Sequence, residues 1–297
     1  MSLVVSGLSN YAKAEGFPLI VAAVTRSNTA NYANVISGLK GTGLVPFLTS
    51  AVTIKAGGAC QSFNGSGSTS TFTEVNVGVK PCLFEEAICI GALENKALIY
   101  ATSGYDTVPF EQAFMQSKVD NISKALDALY WLGDTGNSDA FNGFTTQATA
   151  ASLLTTITGS TSNVYDAIDL AIDTAVAYDA TFESDDNVVV FLSYAKYRVY
   201  QKELVAKNYF HFNPGQIGDN SETLHPGTKI KVVPTIGLAG HSYLYLASAD
   251  HLHIGTNLSS EAEGITVYHD MITNNIYMRS QFYAGTGVSK MMFKKAC

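Results

Sequence analysis

Residues 51–98 read AVTIKAGGACQSFNGSGSTSTFTEVNVGVKPCLFEEAICIGALENKAL, two strand-like runs around a tip of Gly, Ser and Thr. On the outgoing run Val52, Ile54 and Ala56 alternate with Thr53, Lys55 and Gly57; on the return Val75, Val77 and Val79 alternate with Glu74, Asn76, Gly78 and Lys80. Period-two alternation gives each run one apolar face, as in a half-buried strand. A two-stranded ribbon is marginal by itself in water, so that face must lie on something else. The expectation is another copy of the same chain, contacted through Phe63, Asn64, Phe72, Val75, Val77 and Val79, with Tyr11 and Phe17 of the N-terminal segment joining the interface.

Composition favours the same idea. Of 297 residues, 46% are hydrophobic and only 14% charged, against about 25% charged in ordinary soluble domains. The surface is therefore built largely from Ser, Thr, Asn, Gly and Tyr, which cost less to desolvate against a partner than charges do. Net charge is −7 and Arg occurs only at 26, 198 and 279, so no basic stripe exists to read a nucleic acid by sequence. Lys290, Lys294 and Lys295 read as a solvated basic end. Cys60, Cys82, Cys89 and Cys297 show neither a CxxC pair nor scaffold spacing and read as reduced, mostly buried thiols. The opening MSLVVSGLSNYAKAEGF has no basic stretch before an apolar run, and no window approaches the roughly 18 apolar residues of a membrane span. Neither a signal peptide nor a membrane segment is expected.

Along the chain, residues 1–50 lack a sustained helical period and read as an extended arm with one short helix around Ala30 to Leu39. After the ribbon, Phe110, Phe114, Met115, Val119, Ile122, Leu126, Leu129 and Tyr130 keep one helical face apolar, predicting a helix of about 24 residues. Asp106 or Thr107 can cap it, Pro109 suits its first turn and Gly133 can close it. An α/β region follows: a helix from about Asn163 to Asp179, the strand NVVVFLS, apolar on both faces and so central in a sheet, and a helix from Ser193 to about Lys207. Residues 208–228 read as a long loop. Strands return at Lys229 to Val233, Tyr243 to Ala247 and His251 to Ile254, and the end is a meander of Ile265 to His269 and Ile276 to Tyr283.

The chemical motifs are sparse. There is no GxSxG, GxxxxGK[ST] or HExxH, and Gly41 and Gly43 lack the third glycine of GxGxxG. His251 and His253 share a strand face near His241 and His269, which could offer metal ligands; hydrogen-bonded sheet histidines are the simpler reading. GDTGNSDAFNG lacks carboxylates at calcium-loop spacing and reads as a turn. Asp166, Asp169 and Asp173 fall on one helical face as a solvated acidic stripe. Tyr194, Tyr197 and Tyr200 repeat at helical spacing without flanking cations in number, which suits packing at a subunit contact better than stacking on bases.

The order of arm, ribbon, long helix, α/β lobe and closing meander resembles the Hong Kong 97-type tailed-phage major capsid protein over essentially the whole chain. The strings that carry it are FEQAFMQSKVDNISKALDALYWLGD running into NSDAFNGF, then DNVVVFLSYAKYRVYQKEL, and VVPTIGLAGHSYLYLASADHLHIGTNLSSEAEGITVYHDMITNNIYMRSQFYAGTGV. In the last, a Gly-Thr-Asn turn precedes a paired strand bearing Tyr268 and Asp270.

The resemblance implies an α+β fold with residues 1–50 as N-terminal arm, 51–98 as the extended β-hairpin E-loop, 99–150 with 250–297 as a spine-helix P-domain, and 151–249 as an α/β A-domain. It further implies hexamers and pentamers of identical subunits that tile an icosahedral shell around phage double-stranded DNA, which is contacted without sequence specificity. No catalytic residue, cofactor or metal is implied. The place would be the virion, after assembly in the host bacterial cytoplasm. The prototype's charged scaffolding segment has no counterpart before the arm, so separate scaffolding, portal and decoration proteins are expected. Non-covalent joining is the default, since neither Lys55 nor Lys80 aligns to the prototype's crosslinking position. Two rival readings are an encapsulin-like nanocompartment shell of the same fold and a small cytoplasmic metal-dependent enzyme.

Overall fold

Leu3–Thr25 forms a single helix, α1, in place of the expected extended arm. Gly16 and Pro18 argue locally against a helix. Burial overrides them: Leu8, Ala12, Leu19, Ile20, Ala23 and Val24 are all covered, on a stripe that packs over the spine helix and the strand Ile265–Asp270. A second, short helix α2 (Asn28–Tyr32) starts at Ser27, whose hydroxyl accepts the Ala30 N–H at 3.1 Å. It covers only the start of the stretch expected to be helical, Ala30 to Leu39, and residues 34–36 are already strand β1. The computed structural model describes residues 3–54, 68–92, 95–96, 110–185, 187–208, 223–257 and 265–297, without the side chains of residues 3–7, 16, 17, 49, 51 and 184.

Two six-stranded sheets follow from the remaining pattern. The first runs β1 (Asn34–Ile36), β9 (Leu252–Thr256), β11 (Asn275–Val288), β3 (Thr69–Cys89), β2 (Thr42–Ala51), with β10 (Ile265–Asp270) paired beside β9 on the same edge of β11. The second runs β4 (Leu154–Ile157), β12 (Met292–Ala296), β8 (Tyr243–Ser248), β5 (Val188–Ser193), β7 (Lys231–Thr235), β6 (Thr223–Leu224). The spine helix, α3, spans Phe110–Leu132 as its periodicity predicts; its expected caps at Asp106, Thr107 and Pro109 lie outside the described residues. Short α4 (Phe144–Ala150), α5 (Val164–Tyr178), α6 (Thr181–Ser184) and α7 (Tyr194–Ala206) complete the order.

Strand β5 is buried at every residue and central, as an uninterrupted apolar run requires. Val189 and Phe191 face a core shared with α1, α3 and the first sheet, whereas Val188, Val190 and Leu192 face a core closed by α5 and α7. The second sheet is thus covered on both sides. Glu203 of α7 accepts the Val164 and Tyr165 N–H groups at 3.1 and 2.7 Å, capping α5 from a neighbouring helix. The last strand, β12, pairs parallel with β4 and so joins the second sheet, although residues 250–297 were expected together with the spine. That pairing also corrects the solvated basic end. Lys295 is 1% exposed with its ammonium on the Gly159 carbonyl, Lys294 lies 4.0 Å over the Tyr243 ring, and Lys290 sits 3.5 Å from Asp179.

Glycine marks the tightest backbone approach. Gly285 of β11 pairs with Val79, and a Cβ there would stand 2.1 Å from the Gly78 carbonyl oxygen. Backbone cannot yield as a side chain does, so Gly285→Ala is expected to cost about 3 kcal/mol or more. A denaturation midpoint equal to wild type would contradict this packing.

Candidate assembly surface

Ten register pairs join β2 to β3, from Thr42↔Gly78 to Ala51↔Thr69. The outgoing strand thus precedes the stretch predicted for it: Val52 and Ile54 lie beyond the pairing, and residues 55–67 lie outside the described residues. Pro46, which has no N–H for a ladder, is accommodated because β2 is an edge strand.

Facing pairs share a side of the ribbon. Gly43, Val45, Phe47, Val75 and Val77 turn toward the body, where the Phe47 ring meets His251 edge-on at 4.8 Å. Val77 is 0% and Val79 5% exposed: Val77 leans on Gly255 and Gly287 and Val79 on Gly255, where the glycines present no side chain. These two valines are covered by their own chain. Val75 is half-buried.

The opposite face is open. Leu44, Leu48 and Phe72 are 58%, 51% and 77% exposed, with Leu48 directly opposite Phe72 and exposed Pro46 opposite Glu74. Val52 and Ile54 extend the apolar surface at 76% and 93% exposure. Apolar side chains gathered on one projecting edge mark an interaction surface. Tyr11 is half-buried on α1 against the first core. Phe63, Asn64 and the Phe17 side chain lie outside what is described. A second apolar point, unanticipated, is the β10–β11 turn: Asp270 accepts the Ile272 N–H at 2.9 Å, and the turn presents Met271 and Ile272 at 79% and 95% exposure.

The polar groups considered for chemistry are mostly absorbed by structure. His251 and His253 both meet the Ser289 hydroxyl, at 2.8 and 3.1 Å. Among the described residues, no group of His, Cys, Asp and Glu is placed to hold a metal. No described helix is long and apolar enough to cross a membrane. The acidic stripe is not simply solvated: Asp166 meets Lys207 at 2.9 Å, and Asp169 meets the buried His225 at 2.6 Å. Tyr200, expected at a subunit contact, is buried in its own chain 3.0 Å from His225, and Tyr197 bonds Thr223 at 2.7 Å. Tyr194 remains 42% exposed. Cys82 is buried, its thiol pushed up to about 11 by burial, while Cys89 is exposed, so the expectation of mostly buried thiols holds only in part.

Burial holds His225, His251 and His253 below the ordinary histidine range; the Asp169 contact opposes this at His225, and Lys290 adds to it at His251. A neutral His225 donates from Nε2 to Asp169 and accepts the Tyr200 O–H at Nδ1, which satisfies both partners. The unfolded chain takes up these protons near pH 6.5 and the folded chain only lower. Stability is therefore expected to hold above about pH 7 and to fall as pH drops below about 6.5. Thermal unfolding at pH 7.5, 6.5 and 5.5 measures this, and a flat profile would contradict the neutral assignment.

No protein-family model matches this chain, and no curated protein matches it in sequence. Solved structures do. A chain of the satellite phage P4 procapsid, a structure that includes the size determination protein Sid, superposes with TM-score 0.57 over 94% of this chain and 98% of that one, at 11% identity. A chain of the capsid of Myoviridae phage XM1 gives 0.54 over 92% and 91% at 13% identity. A chain from the capsid of an empty GTA particle gives 0.51 over 93% and 89% at 12% identity. Both sheets and the spine are included at such coverage, so this chain has the α+β fold of those phage capsid chains.

Proposed function

We propose that this chain is a phage major capsid protein of the Hong Kong 97 type, which self-assembles as hexamers and pentamers into an icosahedral shell around double-stranded DNA. The observation that carries the reading is the whole-length likeness: 94% of this chain follows 98% of a procapsid chain. The open ribbon supports it, since a chain with 14% charged residues and an apolar projecting face gains from burying that face on a copy of itself. The role is structural and not enzymatic, and its place is the virion after assembly in the bacterial cytoplasm.

The proposed division keeps residues 51–98 within the E-loop and adds Thr42–Ala51 as its outgoing strand. The spine and the remaining strands of the first sheet form the P-domain. Residues 151–249 form the A-domain, which takes in Met292–Ala296 because that strand pairs with β4 and β8. Scaffolding, portal and decoration proteins remain separate partners, and DNA is contacted without sequence reading.

Size decides. Purified protein is expected to give shells, or hexamers and pentamers, by electron microscopy and sedimentation, and particles from infected cells are expected to hold DNA. A stable monomer at high concentration would overturn the proposal, and particles loaded with a cargo enzyme instead of DNA would favour a nanocompartment.

A further inference from the structure

The geometry points to a specific receiver for the ribbon: a groove of about 570 Å³ between α4 and the second sheet of a second copy, where Lys294 meets Glu74 of the incoming ribbon. This inference rests on the proposed self-assembly and adds the surface that does the receiving.

The groove is lined by Leu132, Thr149, Leu154, Tyr243 and Lys294, among others. Its threonine hydroxyls already donate within the chain, Thr145 to the Trp131 carbonyl, Thr146 to that of Gly133 and Thr149 to that of Thr145, so their protons are not free for a ligand. Lys294 lies 4.0 Å over the Tyr243 ring and has no carboxylate partner among the described residues. His241, Tyr243 and Tyr245 are the other titratable groups in the lining, none of them an acid that is ionised at neutral pH, and no Asp or Glu lines the groove. The site is apolar with an excess of positive charge.

The open ribbon face is its converse. Leu44, Pro46, Leu48 and Phe72 surround Glu74, which likewise has no cation partner among the described residues. An unpaired acid on an apolar ribbon and an unpaired lysine in an apolar groove offset each other's desolvation when joined. One copy does not satisfy itself this way, because the ribbon edges the first sheet while the groove belongs to the second.

The test is a charge swap. Glu74→Lys and Lys294→Glu are each expected to lower the fraction of chain sedimenting as particles by about tenfold or more. The double variant E74K/K294E is expected to restore it. Singles that assemble like wild type overturn the docking. So does a dead double variant whose chains unfold at the wild-type temperature. A readout independent of charge uses Leu48→Cys chains mixed with Thr149→Cys chains, both carrying Cys60→Ser and Cys89→Ser; oxidised particles are expected to yield a disulfide-linked dimer, and its absence from intact particles overturns the docking. Wild-type chains that form no particle would instead overturn the shell reading itself, which separates the two failures.

Discussion

Leu48→Asp combined with Phe72→Asp is expected to abolish particles while leaving the chain folded. The two side chains stand opposite each other on the open ribbon face at 51% and 77% exposure, so replacing them removes little burial within the monomer. Such surface changes usually alter stability by within about 0.5 kcal/mol. At an interface the balance reverses. Two carboxylates carried into an apolar contact cost several kcal/mol unless paired, and a closed shell repeats that cost at every subunit. Particles should disappear while the thermal midpoint stays near wild type. Val77→Asp, five residues along the same strand, is the contrast: Val77 is 0% exposed against Gly255 and Gly287, so this change should unfold the ribbon base. Wild-type particles from the Leu48/Phe72 variant would remove the ribbon from the interface.

The contrast between Phe72 and Val77 also marks where sequence reading stops. Alternation identifies an apolar strand face but not whether the same chain or another covers it. Here the cover comes from glycines some 180 and 210 residues away in the chain, at Gly255 and Gly287, and such non-local pairing leaves no mark in the ribbon itself. A signal did exist in AGTGV, where Gly285 and Gly287 recur at period two and strip one strand face of side chains. Only Phe72 among the expected contact residues is both described and open.

Elements whose burial partner follows from their own periodicity were legible: the spine helix, α5, β5 and α7 lie within a few residues of expectation. Those fixed by distant pairing were not. Strands β4 and β12 are short and pair across nearly half the chain, and Lys295 looks solvated until β8 and β4 flank it. Helix α1 was hidden by Gly16 and Pro18. Asp127 had a readable signal, since it falls on the apolar stripe of the spine with Ser123 and Tyr130; an acid there implies a buried network.

That network sets the second large effect, expected at Trp131. The residue is 0% exposed at the end of the spine, where its ring meets Phe144, Phe191 and Tyr245 at centroid distances of 5.5, 4.9 and 5.4 Å. Its Nε1–H donates to Thr29 Oγ1 at 2.8 Å; Thr29 bonds Thr235 at 3.1 Å; Thr235 and the Gly237 N–H donate to Asp127 Oδ2 at 2.5 and 2.6 Å. One side chain therefore ties α2, α3, α4 and the second sheet together. Trp→Ala in a packed core costs about 3–5 kcal/mol, and the lost indole donor adds about 1 kcal/mol. Trp131→Ala is thus expected to remove about 4–6 kcal/mol, a large part of the roughly 5–15 kcal/mol that holds a domain. Trp131→Phe keeps most of the aromatic contact and should cost well under half as much. Because Trp131 is the single tryptophan, circular dichroism must follow unfolding of both variants, whereas emission of the wild type reports on this joint alone. A loss below about 1 kcal/mol for Trp131→Ala would mean that the spine and second sheet are held elsewhere. If the joint does hold them, particles should survive Trp131→Phe and fail with Trp131→Ala, the reverse of the ribbon variant: assembly lost because the subunit no longer folds.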